Sequence, residues 1–453
     1  MEGPGALEIA RNVVSLARRA GAEQCDAIVS MYTESNVTVR LGELEKLIEA
    51  GSMALGLRVI NQGRTAVCST SDLSPASLEQ FVRDAVDLAS ISEPDEFAGL
   101  PSPAELSNVT NADGLGLYDE QIESLSTERK VAMARACEGA AFAFDKRINN
   151  SDGASLSTRV GQFALANSLG FEGAYPSTSI SLMVEAIADD EEGKKRNGYW
   201  YSAERALHRL LDPEDVGRVA ARRTVDQIGA RKMPTRQVPV VFEPMMTVAL
   251  AGDLVGCVSG SALYRGATFL ADRLGDTIGS PLVTIVDDPR LAGRLGARPF
   301  DGEGVATRRN DIIRSGAFRG FLFDCYTARR TKNRTTGSAQ RGIETLPAPG
   351  VSTMVFEAGA DTPEAVVAGV SEGFYVTSLM GNGFNPTTGD YSRGAAGFWI
   401  ENGRLAFPVT EVNISGQMEA MLRDVDMVAN DLTWFGSSAA PTIRVKSMTV
   451  AGT

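Results

Sequence analysis

Residues 381–403 read GNGFNPTTGDYSRGAAGFWIENG. Gly381-Asn382-Gly383 is one turn signal and Asn385-Pro386-Thr387-Thr388-Gly389-Asp390 is a second. The apolar run after them ends at Glu401-Asn402-Gly403, a hairpin turn. Glycines at this density let backbones approach closely, either to pack strands or to receive an extended peptide along a sheet edge. The surrounding sequence has the same character. From residue 238 onward Gly and Thr are dense, with short strand-like runs at 238–242, 282–286 and 397–400. Helical periodicity is convincing only at 244–258 and 362–370. The C-terminal region therefore reads as mostly antiparallel sheet with few helices.

The stretch ARKMPTRQ (230–237) separates this region from a different pattern. Before it, Asp212-Pro213-Glu214-Asp215 opens a helix to about 228, with acids in the first turn where the helix dipole favours them. Residues 155–163, 165–171 and 175–188 alternate like strands, and 127–145 is helical. Residues 93–111, with Pro94, Pro101 and Pro103, read as a linker or surface crossing. Upstream, Ser74 as N-cap and Pro75 at the first helical position begin a helix to about 91. Residues 25–69 read as an antiparallel meander punctuated by Gly42, Gly51, Gly56 and Asn61-Gln62-Gly63. Residues 6–20 form an amphipathic helix with Leu7, Val14 and Ala17 on one face and Gly21 as its stop. The fold class is α+β, divided into an N-terminal region (1–110), a middle region (111–235) and a β-rich C-terminal region (236–453). No repeat of fixed period is visible.

Composition excludes several classes of function. The chain has 453 residues, 43% of them hydrophobic and 22% charged, which is ordinary for a globular protein with a sizeable core. No apolar run approaches the roughly 18 residues of a membrane span. The best candidate, 238–258, is interrupted by Glu243, Pro244 and Asp253. The start, MEGPGALEIARNVV, lacks the basic and apolar segments of a secretory signal. Five scattered cysteines without a C-x-x-C pair read as reduced thiols, so the expected location is cytoplasmic. A net charge of −13 argues against nucleic acid as a partner.

The single histidine, His208, is the sharpest constraint on chemistry. Histidine is the commonest metal ligand and the natural base near neutral pH, so a mechanism needing two imidazoles is excluded within this chain. His208 sits in YSAERALHRLLDPED with no Ser, Cys or metal motif around it and reads as structural. Asp189-Asp190-Glu191-Glu192 lacks calcium-loop spacing and reads as a capped, solvated turn. Asp287-Asp288-Pro289 reads as a strand-terminating turn. Gly369-Val370-Ser371-Glu372-Gly373 matches the G-x-S-x-G nucleophile elbow, but with helix before and strand after, the reverse of what the elbow needs. No catalytic or metal-binding residue is assigned. Two segments are candidates for binding. YTARRTKNRTTGSAQRG (326–342) carries Arg329, Arg330, Arg334 and Arg341 with no acid between them, suited to a peptide carboxylate or an acidic partner, or to a solvated loop. Asn385, Thr387, Thr388, Gly389, Asp390 and Ser392 of the glycine-rich stretch are candidates for a substrate-adjacent or interface role.

The Asp-Asp-Pro after 282–286, then FDCYTARR, TTGSAQRG, NPTTGDYSRGAAGFWIENG and VNISGQMEAMLRDVDMVANDL, in that order, resemble the TldD/PmbA peptidase family. The likeness covers most of the chain and is strongest from 238 onward. In the family, TldD-type chains carry a His-Glu-x-x-x-His zinc motif on the helix opening the C-terminal domain, and a cysteine ligand later. Here that helix reads PMMTVALAGDLVGCVSG without histidine, Asn413-Ile414-Ser415-Gly416 stands where the cysteine is expected, and no cysteine follows Cys325. The sequence is thus similar to the PmbA branch, also called TldE. That resemblance implies a subunit holding no cofactor of its own, paired with a TldD-like chain that carries zinc. Such a pair degrades unfolded or short peptides and trims leader peptides; an older label is modulator of DNA gyrase. The alternative reading is a homodimeric peptide-binding or scaffold protein without catalysis.

Overall fold

The computed structural model describes residues 5–452, so the MEGP start of the chain lies outside the described residues. A six-stranded sheet with every neighbour antiparallel organises the N-terminal half. Its strands are β1 (Gln24–Arg40), β2 (Glu43–Asn61), β3 (Arg64–Thr70), β4 (Ile148–Asn167), β5 (Glu172–Asp189) and β6 (Lys195–Glu204). They lie in the order β3-β2-β1-β4-β5-β6. Because β1 pairs with β4 from Asp26↔Asn167 to Val39↔Ala154, the sheet continues across the proline-containing crossing at 93–111.

These strands are longer than the glycine punctuation predicts. Leu41-Gly42 and Gln62-Gly63 do make the tight turns, all four residues at positive φ. Gly51 and Gly56 instead lie inside β2, and β4 absorbs two segments expected to be separate strands. Gly56 has a different reason to be glycine. A Cβ there would sit 2.2 Å from the carbonyl oxygen of Ile343, so this is where the C-terminal half presses on the sheet.

Alternation along each strand divides the sheet into two working faces. Cys25, Ala27, Val29 and Met31 of β1, with Leu55, Leu57 and Val59 of β2, pack beneath α1 (Ala6–Arg19) and α2 (Pro75–Ile91). The buried stripe of α1 is Ala6, Ile9, Ala10, Val13, Val14 and Ala17, with the expected Leu7 at its margin. Gly21 at φ 101 ends α1, the Ala22 amide donating to Ala17. Ser74 does precede α2, but its side chain caps nothing; Asp72 instead accepts from the Ser74 amide and the Ser77 hydroxyl. After the single turn α3 (Glu120–Glu123), α4 (Thr127–Phe144) and α5 (Pro213–Val225) cover Val37, Val39, Leu156, Leu182 and Val184 farther along the same face. Asp212 caps α5 as the sequence implies.

The opposite face carries Asp26, Ile28, Arg58 and Leu165 and receives the C-terminal half. That half holds two further six-stranded sheets. One is centred on Ile285–Asp287 and Met354–Phe356, the other on Glu372–Met380 and Arg236–Phe242. Both contain one parallel pairing among antiparallel ones. The helix α6 (Pro244–Cys257) lies against strands of both sheets, in a core that includes Phe242, Phe374, Phe356 and Trp399. The short helices α7 (Gly260–Tyr264) and α8 (Cys325–Arg330) follow.

Several contacts lock the halves together, two of them side by side on this face. The Phe300 ring inserts among Phe171, Tyr175 and Phe163, with centroids 5.1, 5.4 and 6.3 Å away. Beside it lies a buried ionic chain. Asp26 accepts from Nε of Arg58 and from Nη1 of Arg341, the latter at 2.6 Å. Nη1 of Arg58 reaches Glu303 at 3.2 Å, and the second Glu303 oxygen accepts the Cys325 amide. The four side chains are at most 5% exposed. Burial pushes the Asp26 carboxyl up, but the Arg341 and Arg58 cations outweigh it and hold it below its ordinary range. Asp301 and Asp324, without such pairing, are pushed by burial and then by the charge of Glu303 to about 7 and about 6.

Asp287, at the end of its strand, is another buried acid. One oxygen accepts the Ser352 and Thr353 amides at 2.8 Å, while the other has no partner, and burial raises the carboxyl to about 6. A raised folded-state value means that the stabilising contribution is present at acid pH and is lost as pH rises from about 4 through 6. Asp287→Asn keeps the accepting oxygen and removes the charge. The expected result in thermal melts is a gain of about 1–2 kcal/mol at pH 7.5 that shrinks towards pH 4.5. An equal effect at both pH values would refute this.

Candidate functional site

The arginines of 326–342 go to separate tasks. Arg329 donates to the carbonyls of Phe97, Gly99 and Leu100, pinning the 93–111 crossing. Arg330 lies over the rings of Phe97, Tyr264 and Tyr326. Arg341 is buried in the ionic chain, and only Arg334 is exposed to solvent without a described contact. Their positions do not converge on one cradle. His208 is exposed in a short 3-10 turn, Leu207–Arg209. Ser371 lies on the surface between the helix Pro363–Ala368 and the strand Glu372–Met380, the order opposite to a nucleophile elbow.

The glycine-rich candidates do converge, and they lie against α6. The turn 385–390 is closed from within. Asn385 accepts the Thr387 amide with its side chain and the Gly389 amide with its carbonyl, and the Thr388 hydroxyl donates to Asp390 at 2.6 Å. Gly389 holds φ +80, and a Cβ there would meet Gln417 Nε2 at 2.7 Å. The turn is then tied to its surroundings: the Phe269 amide donates to Pro386, and the Met418 amide donates to Gly389. The outer side chains of Asn385, Thr387, Thr388, Asp390 and Ser392 remain exposed.

Arg393, next along the strand Asp390–Glu401, reaches across to α6 and pairs with Asp253 at 3.2 Å. Burial raises the Asp253 carboxyl, and Arg393 opposes that rise. One turn farther on, burial pushes the Cys257 thiol up to about 12, and its sulfur lies 3.8 Å from the Pro386 carbonyl. At the head of α6, Glu243 takes a bidentate pair from Arg223 at 2.7 and 2.9 Å. The Asp253–Arg393 pair was missed by sequence reasoning. A lone carboxylate in the otherwise uncharged PMMTVALAGDLVGC was the available signal, since a buried charge needs a partner. Among the described residues no group of three His, Cys, Asp or Glu is placed to hold a metal ion.

A second exposed feature is the free edge of β2. Pairing with β3 begins only at Leu55, whereas pairing with β1 extends back to Glu43. Among the described residues, 43–54 therefore leave one row of backbone donors and acceptors without a strand, and Leu44, Leu47 and Ile48 on this segment are 44, 47 and 41% exposed. Such an edge is a template for another chain. No helix among the described residues is long and apolar enough to cross a membrane.

Comparison with known proteins places these features in a family. Residues 235–452 match the PmbA/TldA metallopeptidase C-terminal domain, 120–228 the central domain and 25–89 domain 1. Metalloprotease PmbA of Escherichia coli O157:H7 is 36% identical over 95% of this chain and 93% of its own length. The crystal structure of a "putative modulator of DNA gyrase" from Bacteroides thetaiotaomicron superposes with a TM-score of 0.91 at 28% identity, covering 98% of each chain. TldE from Thermococcus kodakarensis shares the fold, with a TM-score of 0.87 at 22% identity over 98% of this chain and 99% of that one. The chain belongs to the PmbA/TldD metallopeptidase family.

Proposed function

We propose that this protein is the subunit of a two-chain metallopeptidase that contributes no zinc ligands, with the metal held by a TldD-like partner. The observation that carries this reading is the commitment of α6. That helix has no imidazole, its one carboxylate is tied to Arg393, and its thiol is buried in the protonated form. Zinc needs deprotonated thiolate, neutral imidazole or free carboxylate, so this donor set does not fit the ion. The role left to the chain is to present surfaces: the 385–392 turn beside the metal-bearing chain, and the β2 edge for docking. The substrates are unfolded or short peptides and leader segments, handled in the cytoplasm.

The purified chain alone is expected to hold well below one zinc per molecule and to cleave no peptide. EDTA-sensitive cleavage should appear once the TldD-like chain is added. Stoichiometric zinc in the chain by itself, with cleavage, would refute the proposal. Tagged protein isolated from its native host should bring down that partner; recovery of only a homodimer would favour the scaffold reading.

Two substitutions locate the contacts. Ile48→Glu on the free edge should weaken partner capture at least tenfold while leaving the melting temperature unchanged. Gly389→Val forces a β-branched residue into φ +80 against Gln417 and should cost roughly 1–3 kcal/mol. It should also lower peptide turnover by the assembled pair. If stability and turnover both survive, the turn has no such role.

A further inference from the structure

A cavity of about 610 Å³ opens between the C-terminal-facing side of the N-terminal sheet and the segments around Leu295–Arg298 and Ser352. That volume suits a small ligand or a few residues of peptide. In a chain of net charge −13, three arginines, Arg159, Arg205 and Arg298, line it, and no Asp or Glu does. Hydroxyls of Ser177, Ser179 and Ser352 share the walls.

The charge of the two inner arginines is poorly compensated. Arg205 is 9% exposed, and its Nη1 donates to the Thr178 carbonyl and its Nη2 to the Leu295 carbonyl, while Nε has no partner. Arg298 donates to Gln340 at 3.2 Å, with Nε and Nη2 unpartnered. Among the described residues neither guanidinium forms an ion pair. The acids within electrostatic reach of Arg298 are Asp287 and Asp301; neither is hydrogen-bonded to it, and burial raises both carboxyls, so they compensate its charge only in part at neutral pH. Arg159 is half-exposed, stacks on Tyr32 and forms a solvent-exposed ion pair with Glu34 at 3.5 Å, which a ligand carboxylate would share or displace. The unpartnered nitrogens themselves are closed off from solvent, so their charge, not their hydrogens, acts on the cavity. A low-dielectric wall focuses that field on whatever enters. Buried cations without a hydrogen-bonded counter-ion are costly, and an anion in the cavity relieves that cost.

We infer that this cavity binds the C-terminal carboxylate of a short peptide, with Arg159 as the direct contact and Arg205 and Arg298 supplying the attractive field. The choice of peptide rests on the proposed role in a peptidase pair; the anion preference rests on the cavity alone. Binding is measured on the isolated full chain, without the partner, so this site and the pairing can fail separately.

The probes are tetra-alanine with a free carboxylate, the same peptide as its C-terminal amide, and inorganic phosphate, titrated calorimetrically at low salt. The free acid should bind at least tenfold more tightly than the amide. Arg159→Gln, a change at the mouth, should reduce free-acid binding about tenfold without changing the melting temperature, and Arg298→Gln should do so with its melting temperature checked alongside. Equal binding of acid and amide, or no effect of Arg159→Gln, would overturn the proposal. Phosphate binding tighter than that of the peptide acid would also overturn it, because the site would then be one for an inorganic anion.

Discussion

Everything in this molecule depends on the burial of charge where the N-terminal sheet meets the C-terminal half. Asp26 and Arg58 are neighbours on adjacent strands, yet neither is satisfied by the other alone. Arg341 completes Asp26, and Glu303 completes Arg58, from segments far along the chain. Removing one member of such a chain leaves a buried charge unpaired, at a typical cost of about 3–5 kcal/mol. The ionic contact therefore sets the register between halves that the Phe300 cluster cements by apolar burial. Gly56 is a corollary: only a residue without Cβ lets the Ile343 backbone come close enough for Arg341 to reach Asp26.

The same buried interface explains what was legible in the sequence. The helices α1, α2, α4, α5 and α6 were visible because amphipathic periodicity and proline or acidic starts are local signals. The α+β class and the sheet-rich C-terminal half were legible for the same reason. Strand lengths were not. Gly51 and Gly56 look like turn residues in one dimension, and only the opposing Ile343 backbone shows why β2 continues through the second. Ser74 marked the start of α2, but its side chain caps nothing; Asp72 instead holds the Ser74 amide and the Ser77 hydroxyl, a choice that composition cannot make.

The arginine-rich 326–342 segment shows a deeper limit. Its charges looked like a single patch, but helical and loop geometry disperse them into a clamp on the 93–111 crossing, a stack on aromatic rings, a buried ion pair and one solvated side chain. The 385–392 candidates were legible as a unit because their turn chemistry is local. The Arg393–Asp253 bridge that places the turn on α6 was not, because it spans 140 positions. Family motifs supplied the significance of α6; geometry supplied what its polar groups are doing there.

The pairing of β1 with β4 carries a consequence for how the chain is made. During synthesis β1 and β2 emerge early and can zip together, but the far edge of β1 stays bare until Ile148–Asn167 leaves the ribosome. Arg58 waits longer still, for Glu303. For that interval the nascent chain displays an open strand edge and a half-compensated ion pair, held only by helices α1 and α2. The interval closes when the C-terminal half arrives, because only Glu303 and Arg341 complete the charged face of the N-terminal sheet.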